Sequence, residues 1–531
     1  MPSHSIAFRH TNYFSSLICD YLDEKEGLAD FYNRFPTLSQ FEDQIKEKSI
    51  HFASVNRSIL ETVLLRQYAE VDASLETHNN IINLRKSNTF TVTTGHQLNL
   101  FTGPLYFLYK IISTINLTRQ LKQAYPDYNF VPVYWMATED HDFDEINYFN
   151  FKGKKLRWNR DASGAVGRMD NGDLELVAEV FASQLPKSKN AIELRDLFEQ
   201  AYRLDNNLTQ ATRFLANELF GDNGLVIIDG DDPDLKRLFL PYLRNELFSK
   251  GAFEHVRKTN KKLEQLDYKI QVNPREINLF YLVDNLRERI VETDGIFKVN
   301  NSSIQWDKTT LLEELDQHPE RFSPNVITRP LYQEVILPNL CYIGGGGELA
   351  YWMQLKTYFE SQKIVFPILL LRNSVLLINS KQMEKLDRLD LAVADLFEDQ
   401  NAILNAQTHK RSSFPIDLSE QKKHLKAQFK DMYSIAKKTD KSFLGAVGAQ
   451  ERKQIKGLEH LEKRLLKAQK RRLHDELNRI KSLQDELFPN KSLQERQLNF
   501  SEFYLEHGRQ LIKKLTENLD PLSLEFLILE L

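Results

Sequence analysis

The chain has 531 residues, 41% hydrophobic and 27% charged, and 74 acidic side chains nearly cancel 70 basic ones to leave a formal charge of −4. That balance excludes a disordered or fibrous chain, supplies core material for about three or four structural units, and implies no whole-chain attraction to nucleic acid. With only Cys19 and Cys341, the chain holds neither a disulfide framework nor a cysteine-rich zinc site and fits a reducing, cytoplasmic setting.

Residues 1–20 carry no apolar run of signal-peptide length, and residues 1–85 read as helices packed on a sheet. Residues 90–93 (Phe-Thr-Val-Thr) predict a strand, a glycine-bearing loop follows, and Leu105, Leu108, Ile112 and Ile115 mark one stripe of a helix over 105–121. Pro104 is placed in that helix's first turn. Residues 130–136 predict a second strand, which makes a βαβ unit with parallel strands. Further strands are predicted at 225–228, 340–343 and 364–371, with a helix over 348–360. The greasiest of these, 364–371, is interrupted by Pro367 and too short to span a bilayer. Unbroken rather than alternating hydrophobicity suits strands covered on both faces, so the fold class is α/β with a doubly wound parallel sheet.

The polar segments 151–205 and 250–304 fit that pattern poorly and read as insertions, with turns at Ser163-Gly164 and Asp294-Gly295. The core is then divided into 1–150, 206–249 and 305–379. From 380 to 490 the chain turns helical and charged, and between Gln421 and Lys481 it has 18 Lys/Arg against 7 Asp/Glu. Leu458, Leu461, Leu465, Ala468, Leu473, Leu477, Ile480, Leu483 and Leu487 form a coiled-coil seam with one phase slip between Ala468 and Leu473. A helix over 381–406 is expected to pair with it, with turns at Phe414-Pro415 and near Gly445 and Gly448, and Pro489 ends the long helix. This arm predicts a homodimer. Its basic surplus, with sparse aromatic residues, reads as a solvated face, not a nucleic-acid surface. A helical segment, 491–531, closes the chain.

Four polar clusters follow predicted strands, where α/β proteins bind ligands. The first is Thr93-Thr94-Gly95-His96-Gln97 with Thr102-Gly103-Pro104, which suits an anionic phosphate or carboxylate. The second is Thr138-Glu139-Asp140-His141-Asp142, a candidate general base or Mg²⁺ site. The third is the run from Gly344 through Gly346 and Gly347 to Glu348, Tyr351 and Trp352, read as a loop for backbone approach to a ligand. Arg372-Asn373-Ser374 is the fourth, with Arg372 as an anion partner.

On these motifs the chain resembles the cysteine-adding enzymes of bacillithiol biosynthesis. The matching stretches are Thr94-Gly-His-Gln97 with residues 100–106, residues 135–147, Gly347-Glu-Leu-Ala-Tyr-Trp352 and Leu371-Arg-Asn-Ser374. The resemblance implies a Rossmann-like core with connective insertions, a dimerising coiled-coil arm, and a ligase joining L-cysteine to glucosaminyl malate through an amide bond. Carboxyl activation implies ATP. In that scheme His96 stabilises developing negative charge and Asp140, His141 or Asp142 deprotonates or orients the amine. Thr94, Gly95, Gln97, Thr102, Gly103, Glu139, Gly346, Gly347, Glu348, Tyr351, Trp352, Arg372, Asn373 and Ser374 line the substrates. Similar nucleotidyl-transferring cores carry His-x-Gly-His, whereas this chain has Thr93-Thr94-Gly95-His96, and a Lys-Met-Ser-Lys-Ser-like loop is missing. The alternatives are a non-catalytic dimeric scaffold with a degenerate nucleotide cleft, or a ligase for another amino acid and amine.

Overall fold

Runs of β-branched and aromatic residues build the central sheet. In the computed structural model, which describes residues 4–531, its strands are β1 (Thr89–His96), β2 (Asn129–Met136), β3 (Val226–Asp229), β4 (Asn339–Gly344) and β5 (Ile368–Leu371). All pairings are parallel, in the order β5-β4-β1-β2-β3. Every residue of β1, β4 and β5 is buried, which is why their sequences run apolar or β-branched without alternation. Phe90, Val92, Cys341, Ile343, Ile368 and Leu370 share one core with Phe41 and Ile45 of the helix Leu38–His51. The doubly wound, Rossmann-like reading holds.

Register aligns the strand ends that matter. His96 pairs with Met136, Met136 with Asp229, Thr94 with Ile343, and Gly344 with Leu371. The chain steps from β1 outward through β2 to β3, then returns to place β4 on the other side of β1. The carboxyl ends of β1 and β4 therefore flank a topological switch point, where such sheets open a crevice.

Several boundaries differ from expectation for local reasons. β1 continues through His96, because Thr93 and Thr94 are β-branched and buried in the ladder. β5 begins only at Ile368, after Pro367, which has no N–H to donate. Tyr106–Ala124 is the crossover helix, so Pro104 precedes it, and it is buried nearly all round, with Lys110, Ser113 and Thr114 inside. The helix expected over 348–360 is two, Gly346–Met353 and Lys356–Ser361. The four glycines form no loop: Gly344 ends β4, Gly345 caps the helix, and Gly346 and Gly347 are its first turn.

The segment 151–205 holds most of a short hairpin, Tyr148–Phe151 with Lys154–Arg157, and the helices Leu174–Gln184 and Lys189–Ala201. Residues 250–304 contribute a helix, Gly251–Gln265, and most of a five-stranded antiparallel sheet. Asp294 and Gly295 both have positive φ, 53° and 78°, the geometry of a tight hairpin turn.

The chain forms two compact units. The first contains the sheet and comprises residues up to Arg9, Tyr13–Leu377 and Gln494–Leu529. The second, chiefly Ile378–Leu493, is helical: Ser380–Arg388, Gln400–Arg411, Ser419–Ala436, Lys441–Arg472 and His474–Leu487. The helix expected over 381–406 is broken around Asp390, whose φ is +49°, and by the 3₁₀ turn Val393–Phe397. Gly445 and Gly448 make no turn; both lie within the 32-residue helix Lys441–Arg472. A glycine costs a helix only about 1 kcal/mol, and the turn falls instead at Thr439-Asp440, where Asp440 caps the backbone N–H of Phe443 at 2.9 Å. That long helix packs on Ser419–Ala436 through Phe429, Ala436 and Val447. The phase slip in the seam coincides with a helix break at Leu473, and the last helix ends at Leu487, two residues before Pro489.

Candidate active site

At the end of β1, Gly95 presents only backbone: a Cβ there would stand 3.2 Å from the Tyr342 hydroxyl. Next to it the His96 ring is 8% exposed, wedged against Tyr106 and Phe107. Its Nε2 is buried without a hydrogen-bond partner. Burial, reinforced by the positive charges of Lys110 and Arg372, depresses the imidazole to about 3, so the ring is neutral at physiological pH. A neutral ring acts there through hydrogen bonding and not through a positive charge.

Lys110, from the buried crossover helix, donates to the Gly95 carbonyl at 2.6 Å and pairs with Glu348 at 2.6 Å. Glu348 stands in the first turn of Gly346–Met353 and accepts from the Gly345 N–H at 2.8 Å and the Tyr342 hydroxyl at 2.7 Å. Burial pushes its carboxyl up, but Lys110 and these donors outweigh burial and hold it below its ordinary range. From the end of β5, Arg372 lies over the Tyr106 ring at 4.9 Å and pairs with the fully buried Glu495 at 2.6 Å. Its Nη1 donates to the Asn373 carbonyl and the Ser374 hydroxyl, while Nε is buried and unpaired.

The facing wall follows β2. Glu139 pairs with Lys236, whose side chain is entirely buried, and its own burial pushes the carboxyl up. Asp140 accepts from Gln97 at 2.9 Å and from the His141 backbone N–H at 2.8 Å. Burial opposes its ionisation, but His141, Gln97 and the charge of Arg287 prevail and keep it ionised. Arg287, from the antiparallel sheet, lies 4.1 Å over the Phe280 ring and places Nη1 2.7 Å from His141 Nδ1.

These groups line one cavity of about 810 Å³, which also takes in Tyr351, Arg329 and the exposed Arg275, Arg289 and Arg496. Two family models cover the chain: the bacillithiol biosynthesis BshC N-terminal Rossmann-like domain over residues 1–373, and the BshC C-terminal coiled-coil domain over 375–531. The chain belongs to the BshC family. It is 58% identical over 530 residues, all of both chains, to a protein of Flavobacterium johnsoniae named "Putative cysteine ligase BshC". Proteins with the same name in Cytophaga hutchinsonii and Bacillus anthracis are 37% and 28% identical, covering 97% and 94% of this chain and 96% and 95% of their own lengths.

Within this BshC chain the sequence-predicted residues divide in two. Gly95, His96, Gln97, Glu139, Asp140, His141, Gly347, Glu348, Tyr351 and Arg372 reach the cavity. The others stand behind it. Thr94 gives its hydroxyl to the Ile343 carbonyl at 2.8 Å, tying β1 to β4. Thr102 and Gly103 form a turn with positive φ, and Asn499 donates to the Gly103 carbonyl at 2.6 Å. Gly346 packs on Ile18, and Trp352 stacks on Tyr342 with centroids 4.4 Å apart. Asn373 donates to the Asp520 carbonyl and Ser374 to Glu495, while Asp142 is exposed. Among the described residues no group of three His, Cys, Asp or Glu is arranged to hold a metal. The cavity carboxylates Glu139 and Glu348 are already committed to lysines.

Lys110, Arg287, Lys236 and Glu495 are functional-site residues that sequence reasoning missed. A lysine amid apolar residues on every side of the crossover helix is a signal for Lys110; Glu495 has none, because its partner is 123 positions away.

Proposed function

We propose that this chain is a cysteine ligase that joins L-cysteine to glucosaminyl malate by an amide bond, after activation of the cysteine carboxyl by ATP. The reading is carried by one observation: His96, the Glu139–His141 run, Glu348 and Arg372, which are far apart in sequence, all face one cavity at the sheet's switch point. A carboxylate oxygen attacks a phosphoryl group of ATP, expelling ADP to leave an acyl phosphate or pyrophosphate to leave an adenylate, and the acceptor amine then attacks the acyl carbon. A C–N bond forms as the phosphate-bearing group leaves with the electron pair.

Arg275, Arg289 and Arg496, which make no ion pair with any described residue, offer charge for the polyphosphate at the cavity rim. On the facing wall, Asp140 orients the acceptor's ammonium group, and Glu139, its carboxyl pushed up by burial, takes a proton from it so that the free amine attacks. Asp142, outside the cavity, takes no part in this scheme. Mg²⁺ would enter with the nucleotide, since no side-chain cluster awaits it among the described residues.

The arm, in this reading, makes a homodimer: Leu461 in the predicted seam is 52% exposed, and elsewhere on the arm Ile435 (62%) and Phe443 (48%) are exposed too. Two buried free cysteines suit a cytoplasmic enzyme, and no described helix is long and apolar enough to cross a membrane. The test is direct. Purified protein with L-cysteine, glucosaminyl malate, ATP and Mg²⁺ should yield the amide product by mass spectrometry, and omitting ATP should abolish it. Absence of product under saturating conditions would favour the non-catalytic scaffold. Sedimentation of Leu461→Glu should show half the wild-type mass.

A further inference from the structure

Around the carboxyl end of β1 the cationic side chains differ in how they are matched. Lys110 is paired with Glu348 and Arg372 with Glu495. Arg329, half-buried in the same cavity wall, makes no ion pair with any described residue. Its Nη1 stands 3.9 Å from the point where Gly95 would carry a side chain, in the space opened at the switch point. The Tyr342 hydroxyl, 3.2 Å from the same point, is already spent on Glu348. An unmatched guanidinium beside bare backbone suits an oxyanion.

Two neutral groups hold that guanidinium. Gln333, one turn along the helix Arg329–Ile336, accepts from Nη1 at 3.2 Å, and the Tyr351 hydroxyl accepts from Nη2 at 3.2 Å. Each terminal nitrogen carries two hydrogens, so each keeps one for a ligand. Gln333 is fully buried, and its neighbours fix which way its amide faces. Its Nε2 donates to Glu334 at 3.1 Å, and Glu334, buried as well, also accepts from Asn339 at 2.6 Å and pairs with Lys48 at 3.0 Å. A flipped amide would set oxygen against carboxylate and NH₂ against guanidinium. Only an amide meets a carboxylate on one side and a guanidinium on the other without adding charge. A glutamate there would cancel Arg329, and a methionine would leave both neighbours short of a partner. Lys48, on the helix Leu38–His51, matches the charge of Glu334, so that of Arg329 stays available to the cavity.

We propose that Arg329 binds a carboxylate or phosphate oxyanion of a reactant in the space over Gly95, and that Gln333 is the positioning residue that holds the guanidinium there with its charge intact. The assignment rests on the reading of this cavity as the ligase site and deepens it, because it sets one oxyanion contact in the wall apart from the exposed arginines of the rim. The test is calorimetric titration of the full chain with L-cysteine, glucosaminyl malate and a non-hydrolysable ATP analogue, each separately. Arg329→Met should weaken at least one of them by about tenfold or more, the loss expected for a charged hydrogen bond, and leave at least one within about twofold. The reactant that weakens identifies the oxyanion as carboxylate or phosphate. Gln333→Met should weaken the same reactant about fivefold. In turnover it should raise that reactant's KM and leave kcat within about twofold, a split that loosening of the fold does not produce.

Tyr351→Phe removes the other tether from the cavity side and repeats the measurement should Gln333→Met not fold. Wild-type affinities in Arg329→Met, an equal loss for all three reactants, or no binding to wild type would each overturn the oxyanion contact. Wild-type affinities in both tether variants would overturn the positioning role. The two readings fail separately. Selective loss of binding in Arg329→Met, with no amide product from wild type, would sink the ligase and keep the contact, whereas product from Arg329→Met with every KM unchanged would do the reverse.

Discussion

The two units use the same charged residue types at opposite cost. In the sheet-bearing unit, Lys48–Glu334, Lys110–Glu348, Lys236–Glu139 and Arg372–Glu495 are ion pairs with at least one member almost wholly buried. In the helical unit, Lys385–Glu486 and Lys422–Glu462 stand in solvent at 50%/47% and 22%/27% exposure. A buried pair must be matched or the fold loses several kcal/mol, while an exposed pair contributes almost nothing. The core's charges are therefore few and met by an opposite charge or by hydrogen bonds, three of these four pairs stand at the cavity, and the arm's many lysines are a solvated coat.

The sharpest way to break that contrast is Arg372→Met. It strands Glu495, which is fully buried and also accepts from Ser374 and the Val375 N–H, as an uncompensated charge. Urea unfolding should register a loss of about 3–5 kcal/mol. Arg372→Met with Glu495→Gln should recover much of it. If the single variant is as stable as wild type, the pair is not buried as described.

Second in size is a change inside the arm that involves no charge. Phe429 is 3% exposed and packs with Ala436 and Val447 between two helices. Phe429→Ala should cost about 3 kcal/mol or more through lost burial and an unfilled cavity. Unfolding should then become biphasic, with the arm melting first, as seen by circular dichroism. An unshifted transition would show that this small core carries no weight.

Periodicity and turn chemistry made the sheet legible, because β-branched runs buried on both faces leave an unbroken apolar signal. Polar residues obscured the edges of those elements. Thr94 looks like a loop residue, yet its hydroxyl bonds the Ile343 carbonyl inside the ladder, so β1 runs on to His96. Gly346 and Gly347 look like part of a ligand-approaching loop, yet Glu348 accepts from the Gly345 N–H and a helix starts there. Half of the site was equally readable, since Glu139, Asp140, His141 and Arg372 follow strands directly. What escaped was long-range pairing. Lys110 stands out as a lysine in an apolar helix, but its partner Glu348 comes from a distant strand end that no local pattern links to it.

The third prediction uses the neutrality of His96. Between pH 6.5 and about 3 the unfolded chain binds a proton at this histidine that the folded chain refuses. Stability should therefore fall as pH falls through that window, by up to about 1.4 kcal/mol per unit. Raised carboxylates such as Glu139 and Glu334 act in the opposite sense, so the difference between wild type and His96→Gln isolates the effect. From pH 7 to pH 5 wild type should lose about 2 kcal/mol more than the variant. Parallel acid limbs would mean that His96 is not buried neutral.

The smallest effect completes the contrast. Lys422 reaches Glu462 at 2.6 Å, as short as the Lys110–Glu348 pair in the core. Distance alone would rank them equal. Water decides otherwise: at 22%/27% exposure the screened attraction is offset by the entropy of fixing two long side chains. Lys422→Ala should leave the unfolding free energy close to that of wild type, and any change should vanish in high salt. Lys110→Met, with an identical starting distance, should cost several times more and resist salt, since it leaves Glu348 charged in a cavity wall. Equal costs for the two substitutions would mean that burial does not set the worth of charge in this chain.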